Sequence, residues 1–178
     1  MENFVFRLLK SADAGNMCAY YQRNREHFRP WEPGRGDFFF TLGAWQEMIN
    51  ARLQEQVQQR GFYFVAEQQD SGNIYAHCSL SNICYGPFMA AFMGYGVDRE
   101  FEGRGLTRAL CEEVIRFAFT DLRLNRISAN YMPHNQRSGG LLKRLGFTIE
   151  GRASAYLKIN NRWEDHVLTS LLNPDRGI

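Results

Sequence analysis

The stretch Phe92–Leu110, FMGYGVDREFEGRGLTRAL, constrains the chain more than any other, because an apolar strand runs there into a glycine-punctuated turn and directly on into a helix. Phe92, Gly94 and Gly96 and the apolar residues between them carry few charges, the pattern of a strand buried on both faces. Two glycines inside a strand remove side chains where a backbone or a ligand must come close. Gly96 can also host a bulge that leaves a main-chain N–H unpaired. Helical spacing starts immediately after Glu102-Gly103-Arg104-Gly105-Leu106-Thr107, with Leu106, Leu110, Val114 and Phe117 three and four residues apart. A helix opening on Gly-x-Gly presents free N–H groups and partial positive charge at its start, which suits a phosphate. A lone Gly-x-Gly more often serves an ordinary strand-to-helix turn that uses glycine for geometry, and alone it favours that reading.

With 178 residues, 44% of them hydrophobic and 14% aromatic, the chain is expected to form one globular domain over residues 1–178. Its net charge of +2, with no long basic block, gives no reason to expect direct nucleic-acid binding and leaves an acidic ligand compatible. Cys18, Cys78, Cys84 and Cys111 lie far apart with no Cys-x-x-Cys pair and no histidine cluster, so no metal site is expected. No apolar run approaches a membrane span, and Met1-Glu-Asn-Phe4 lacks a basic segment followed by an apolar one. The expectation is a cytoplasmic protein with reduced thiols and no membrane partner, either a monomer or a homodimer.

In chain order, Phe4–Leu9 reads as a first strand, and Asp13 as the N-cap of a helix running to about Asn24. His27–Gly36 carries two prolines and two glycines around Trp31 and reads as a loop, either a lid or specificity segment or a cap on the core. Thr41 is placed to cap a helix over Leu42–Gln59 with an inward stripe of Trp45, Met48, Ile49, Leu53 and Val57. Strands over Phe62–Glu67 and Ile74–Ile83, joined through Asp70-Ser-Gly72, lead into the central strand as an antiparallel meander. The helix from Arg104 to about Asp121 then leads to a half-exposed strand over Ile127–Tyr131, which must lie parallel to the central strand in a right-handed βαβ unit. Asn135 opens a short helix with Leu141, Leu142 and Leu145 inward and Gly146 just past its end. A hairpin follows, turning at Asn160-Asn161 and returning through Trp163 to Leu172. These elements make an α/β domain with a mixed sheet: antiparallel strands first, a parallel pair in the middle, a hairpin last.

Gly103-Arg-Gly105 after the central strand, then Asn130, Asn135-x-x-Ser138 and Leu145-Gly-Phe147, resemble the GNAT superfamily of acetyl-CoA-dependent N-acetyltransferases. Within it, Pro30-Trp-Glu-Pro33, Ala129–Asn135, Arg137-Ser138 and Trp163–Thr169 resemble the branch that acetylates N-terminal alanine on ribosomal proteins, and the similarity spans nearly the whole chain. The resemblance implies a GNAT-type sheet with the parallel pair splayed, helices on both faces, and acetyl-CoA as cosubstrate in the opening. The pyrophosphate would then meet the amides of Gly103, Arg104, Gly105, Leu106 and Thr107, and the pantetheine would run along Tyr95, Gly96 and Val97 as an added strand. Asn130, Asn135 and Ser138 match family positions that face the cofactor. One departure from the family pattern is Glu100, which stands where Gln or Arg is common three residues before the first glycine.

Acetyl transfer needs a neutral amine, an N–H for the developing oxyanion and a proton for the leaving thiolate. The main-chain N–H near Gly96 or Val97 is the natural oxyanion donor, and by family position Ser138 would hydrogen-bond the CoA sulfur. Some relatives place a glutamate as base where Leu157 stands here, so Glu32 is the substitute candidate, with Asp165 and His166 behind it. Glu32, with Trp31, is equally a candidate for binding the acceptor amine. Deprotonating a lysine at neutral pH costs about 3 kcal/mol more than deprotonating an α-amine, so with no strong base evident the α-amine is the favoured acceptor. This agrees with the resemblance, which implies a protein N-terminus on a ribosomal protein. Other protein N-termini, a small amine or antibiotic, and a non-catalytic acetyl-CoA-binding module are the alternatives.

Overall fold

The computed structural model describes residues 3–175. Strand β1 (Phe4–Leu8) leads to helix α1 (Ala14–Arg23), the single turn α2 (Arg25–Phe28) and helix α3 (Leu42–Val57). Then come β2 (Phe62–Gln68), β3 (Ile74–Cys84) and β4 (Ala90–Val97), helix α4 (Leu106–Thr120), β5 (Arg126–Ser128), helix α5 (Gln136–Arg144), and the hairpin β6 (Thr148–Ile159) and β7 (Arg162–Leu172). The sheet order is β1-β2-β3-β4-β5-β7-β6, antiparallel throughout except for the parallel pair β4–β5. This is the mixed α/β sheet expected from the sequence.

Alternation along β2 gives the sheet two buried faces. Phe64 and Ala66 join Cys78, Leu80 and Met93 beneath Leu106, Leu110 and Val114 of α4. Val65, pointing the other way, packs with Met17 and Tyr20 of α1 and with Trp45 and Ile49 of α3. Thr41 caps α3 as expected, its Oγ1 accepting from Ala44 N–H at 3.3 Å. Gly146 stands at the C′ position of α5 with φ +88°, and Asn160-Asn161 turn the last hairpin with φ of 43° and 65°.

Several local expectations are corrected. Asp13 stands at the start of α1, but its carboxylate takes the N–H of Lys10 at 2.8 Å and both terminal nitrogens of Arg7 at 2.7 Å instead of capping that helix. His27 is part of α2, so the loop begins after Phe28. Val57, at the last turn of α3, is 79% exposed and does not join the inward stripe. The helix after the glycine turn begins at Leu106 rather than Arg104. Gly96 hosts no bulge: β3 and β4 stay in register from Val97 to Phe92, and the irregularity falls between Ser81 and Cys84. Phe92, 39% exposed, shows that β4 is not covered on both faces along its whole length.

Candidate active site

The parallel pair is short. β4 and β5 run together only over Ala90–Phe92 and Arg126–Ser128. Beyond Ser128 the chain leaves β4 and stays with β7: Ala129 N–H donates to Thr169 O at 3.1 Å, and Tyr131 and Val167 exchange bonds of 3.2 and 2.8 Å. The strands therefore splay, and a cleft of about 1100 Å³ opens between the far half of β4, the start of α4 and the start of α5.

Strand alternation decides which backbone groups face this cleft. Met89 O accepts from Asn125 and Arg126 on the β5 side, whereas Asp98 N–H donates to Tyr75 O at 2.8 Å on the β3 side. Odd-numbered residues of β4 thus turn their polar groups toward β5, and past Phe92 no strand meets them among the described residues. Tyr95 and Val97 direct their N–H groups into the cleft, while that of Gly96 turns toward β3. Of the two N–H groups named from sequence, that of Val97 is the one that faces the cleft.

Gly103 and Gly105 sit at φ +70° and +82°, the left-handed region in which a residue with a Cβ is strained. Those two turns deliver the chain into α4 with Gly105 as N-cap. The first bond closed there runs from Ala109 N–H to Gly105 O at 3.1 Å, which leaves the amides of Leu106, Thr107 and Arg108 ahead of it without an intrahelical partner. Gly103, Gly105 and Thr107 line the cleft. Leu106 offers only its backbone, since its side chain is buried in the core, and the Arg104 guanidinium lies over the Phe101 ring.

On the opposite wall, Asn135 Oδ1 accepts from Ser138 N–H at 3.1 Å and caps α5, and Ser138 Oγ lies 2.7 Å from the Tyr95 hydroxyl. The Asn130 amide ties the end of β5 to the hairpin, accepting from Thr169 N–H and donating to the Tyr156 hydroxyl, both at 3.2 Å. Asn130, Asn135 and Ser138 all line the cleft.

Trp31 and Glu32 close its far end. Trp31 reaches the opposite wall, its ring centroid 5.7 Å from that of His134. Asn160 N–H donates to Glu32 O at 3.2 Å, which anchors the aromatic loop to the hairpin turn. The Glu32 side chain is 22% exposed, with Oε1 3.5 Å from the Tyr21 hydroxyl and Oε2 4.0 Å from Arg35. Burial pushes its pKa up, more than Arg35 and Tyr21 lower it. Glu32 also lines a second cavity of about 370 Å³, walled by Tyr21, Phe28, Phe39 and Phe40 and by the turn residues Asn160 and Asn161. The carboxylate therefore stands in a wall common to both spaces. Of its understudies, Asp165 is turned away, paired with Arg152 at 2.9 Å, whereas buried His166 does line the cleft.

Sequence reading missed His77, whose ring packs beneath Gly96 and meets Tyr20 and Tyr21. It also missed the group at the cleft mouth, where Arg137 pairs with Glu102 at 2.5 Å and His27 Nε2 lies 3.7 Å from the same carboxylate. These residues come from separate elements, so no local spacing marks them. The Tyr20-Tyr21 pair facing inward in the last turn of α1 was the available signal.

The sequence profile of the family described as Acetyltransferase (GNAT) domain matches residues 3–148. The chain belongs to the GNAT acetyltransferase family. Over 174 residues it is 38% identical to the [ribosomal protein uS5]-alanine N-acetyltransferase of Escherichia coli, a match covering 98% of this chain and 90% of that protein. The crystal structure of a ribosomal-protein-S5-alanine acetyltransferase from Vibrio fischeri aligns at TM-score 0.96 with 39% identity, covering 100% of this chain and 97% of that one. RimJ of Mycobacterium smegmatis, solved in complex with CoA-disulfide, aligns at TM-score 0.90 with 25% identity, covering 98% and 84%. The chain is thus a GNAT N-acetyltransferase. Among the described residues no group of three or more His, Cys, Asp or Glu is placed to hold a metal ion, and no helix is long and apolar enough to cross a membrane.

Proposed function

We propose that this GNAT enzyme transfers the acetyl group of acetyl-CoA to the α-amine of a protein N-terminus, an N-terminal alanine on a ribosomal protein, by direct attack with both substrates bound. The observation that carries the reading is the position of Glu32 between a long cleft and a small cavity walled by aromatic side chains together with Arg25, Glu26, Arg29 and Arg35. Two substrates entering from the two sides meet at that carboxylate. The 38% identity to a uS5-alanine acetyltransferase supports the acceptor class.

The cleft fits acetyl-CoA on its own geometry. Cβ atoms at Gly103 and Gly105 would meet nothing within 4 Å, so the space in front of the free amides is open to a pyrophosphate. The unpaired edge at Tyr95 and Val97 suits the amides of pantetheine. Asn130, Asn135 and Ser138 line the wall opposite. Acetyl-CoA supplies an activated acyl carbon on a thiol leaving group.

In this reading the Val97 N–H stabilises negative charge developing on the carbonyl oxygen. Ser138 offers its hydroxyl to the sulfur as charge builds there. Glu32, its carboxyl raised by burial, takes a proton from the ammonium of the acceptor or holds it in line, and Trp31 covers the first side chain. A carboxylate is a weak base beside an amine, so the acceptor with the lower pKa is favoured. An α-amine at about 8 qualifies where a lysine at about 10.4 does not.

The test is mass spectrometry on two peptides, one beginning with alanine and one with a blocked N-terminus and an internal lysine. Acetylation is expected at the alanine α-amine, with the lysine peptide far slower. Comparable reaction of the lysine overturns the acceptor assignment, and no transfer to any amine overturns catalysis.

A further inference from the structure

Tyr95 carries a hydroxyl that packing does not require. Its ring is packed against the core beneath α4, near Cys78 and Cys111, where a phenylalanine would fill the same space. The hydroxyl reaches across the splay of the sheet to one partner, Ser138 Oγ on α5, at 2.7 Å. Ser138 is held from its other side as well, its N–H bound by Asn135 Oδ1 at 3.1 Å. Its hydroxyl has no further partner among the described residues.

The direction of that hydrogen bond follows from the chemistry of the two groups. Either hydroxyl can donate across this contact, and because a phenol is a stronger acid than an aliphatic alcohol the arrangement with Tyr95 donating and Ser138 accepting is the favoured one. Burial pushes the Tyr95 phenol further from ionisation, so its proton stays available for that bond at working pH. With a lone pair of Oγ occupied by Tyr95, the serine proton turns away from the phenol, and the space open to it is the cleft that both residues line.

We propose that Tyr95 is a positioning residue for catalysis: it orients the Ser138 hydroxyl so that its proton is directed at the departing sulfur. The inference rests on the function proposed above, in which the thioester sulfur lies beside Ser138. No O–H bond of Tyr95 breaks. The electron pair of the C–S bond moves onto sulfur, the Ser138 hydrogen bond stabilises that charge, and of the two protons lost by the ammonium group one ends on the thiol and the other in water. Tyr95 acts before the reaction, by removing the rotational freedom of the serine hydroxyl, and it acts on the rate rather than on binding.

A double-mutant cycle tests it. Tyr95→Phe is expected to lower kcat about tenfold, with KM for acetyl-CoA and for an alanine peptide unchanged and calorimetric CoA affinity intact. Ser138→Ala is expected to lower kcat by a similar factor, and Tyr95→Phe added to it to cost nothing more. Equal proportional losses from Tyr95→Phe in both backgrounds overturn the inference. So does an unchanged kcat in Tyr95→Phe while Ser138→Ala is impaired, an outcome that leaves the sulfur placement standing. If Ser138→Ala itself leaves kcat unchanged, the sulfur placement and this inference fall together. Should Tyr95→Phe not fold, 3-fluorotyrosine at position 95 keeps the hydroxyl with a more acidic phenol. Its kcat should differ from wild type when Ser138 is present and not in Ser138→Ala, and the same response in both backgrounds overturns the inference.

Discussion

The His77 imidazole occupies the space a side chain at Gly96 would need: a Cβ built on Gly96 lies 2.5 Å from His77 Cε1. The ring has little freedom to yield, since its Nδ1 is 3.3 Å from the Tyr20 hydroxyl and its Nε2 3.5 Å from that of Tyr21. Gly96→Ala is therefore expected to destabilise the fold by about 1–3 kcal/mol and to lower activity by displacing the cleft edge. Adding His77→Ala should recover part of the stability. Denaturant titrations of the two single variants and the double variant check this, and additive losses would show that the two sites do not press on one another.

His77 also sets a pH dependence. Burial pushes its pKa down to about 3, below the ordinary value of 6.5. Folding favours the neutral ring, so this contribution is complete above pH 6.5 and declines as pH falls from 6.5 toward 3. Stability measured by chemical denaturation at pH 7.5 and pH 5 should drop in the wild type and drop less in His77→Gln. Identical slopes exclude His77 as the source.

Asp98 is 2% exposed and joins the end of α1 to the turn before Gly103, accepting from Arg23 Nε at 2.6 Å, Asn24 Nδ2 at 2.7 Å and Glu100 N–H at 3.0 Å. Desolvation alone would raise its pKa, but the bonds from Asn24, Glu100 and Arg23 outweigh it and hold it below 3.8. Its stabilisation is thus present above pH 3.8 and lost as pH falls through the depressed value. Asp98→Asn should cost about 2 kcal/mol at pH 7, and the gap from wild type should narrow in strong acid. A gap that persists below pH 2 would point to packing instead of charge.

Gly105→Glu is expected to abolish acetyl-CoA binding by placing a carboxylate before the free amides of α4. Because Gly105 has φ +82°, any side chain there also costs about 1 kcal/mol of backbone strain. Gly105→Ala separates the two effects. Calorimetry should show CoA affinity largely kept in Gly105→Ala and lost in Gly105→Glu, and equal affinities would remove the phosphate assignment.

Glu32→Gln addresses the base. If Glu32 takes the proton, the variant should lose about a hundredfold in kcat near pH 6.5, where free amine is scarce, and less as pH approaches the amine's own value near 8. A pH–rate profile on an alanine peptide reads this directly. A loss confined to peptide KM assigns Glu32 to binding, and a profile matching wild type takes it out of the mechanism.

The strand-turn-helix, the Thr41 cap and the Asn160-Asn161 turn were legible in the sequence because each rests on local chemistry: periodicity, a capping side chain, residues that tolerate positive φ; the parallel pair followed from the helical connection between its strands. The two strand glycines signalled close approach. What approached Gly96 was a side chain from the neighbouring strand, and only the register of β3 with β4 places His77 there. Asp13 was read as a cap because Arg7, its actual partner, lies on another element. Glu32 was legible as a carboxylate in a loop, whereas its burial between two cavities depends on α1 and the distant hairpin turn. The choice of Val97 over Gly96 as the inward donor likewise required strand direction and neighbours on both sides. Long-range pairing carries this information, and a single sequence read locally does not hold it.

The short seam between β4 and β5 has a mechanical consequence. Three paired positions join the β1–β4 leaf to the β5–β7 leaf within the sheet. Beyond those positions the two leaves are joined through the shared core, where Ile127, Ala129, Leu142 and Phe147 pack with residues of β2–β4 and α4. A ligand lying along the open edge acts as a splint across the two leaves, and the amides of Tyr95 and Val97 should exchange their hydrogens with solvent more slowly when it is in place.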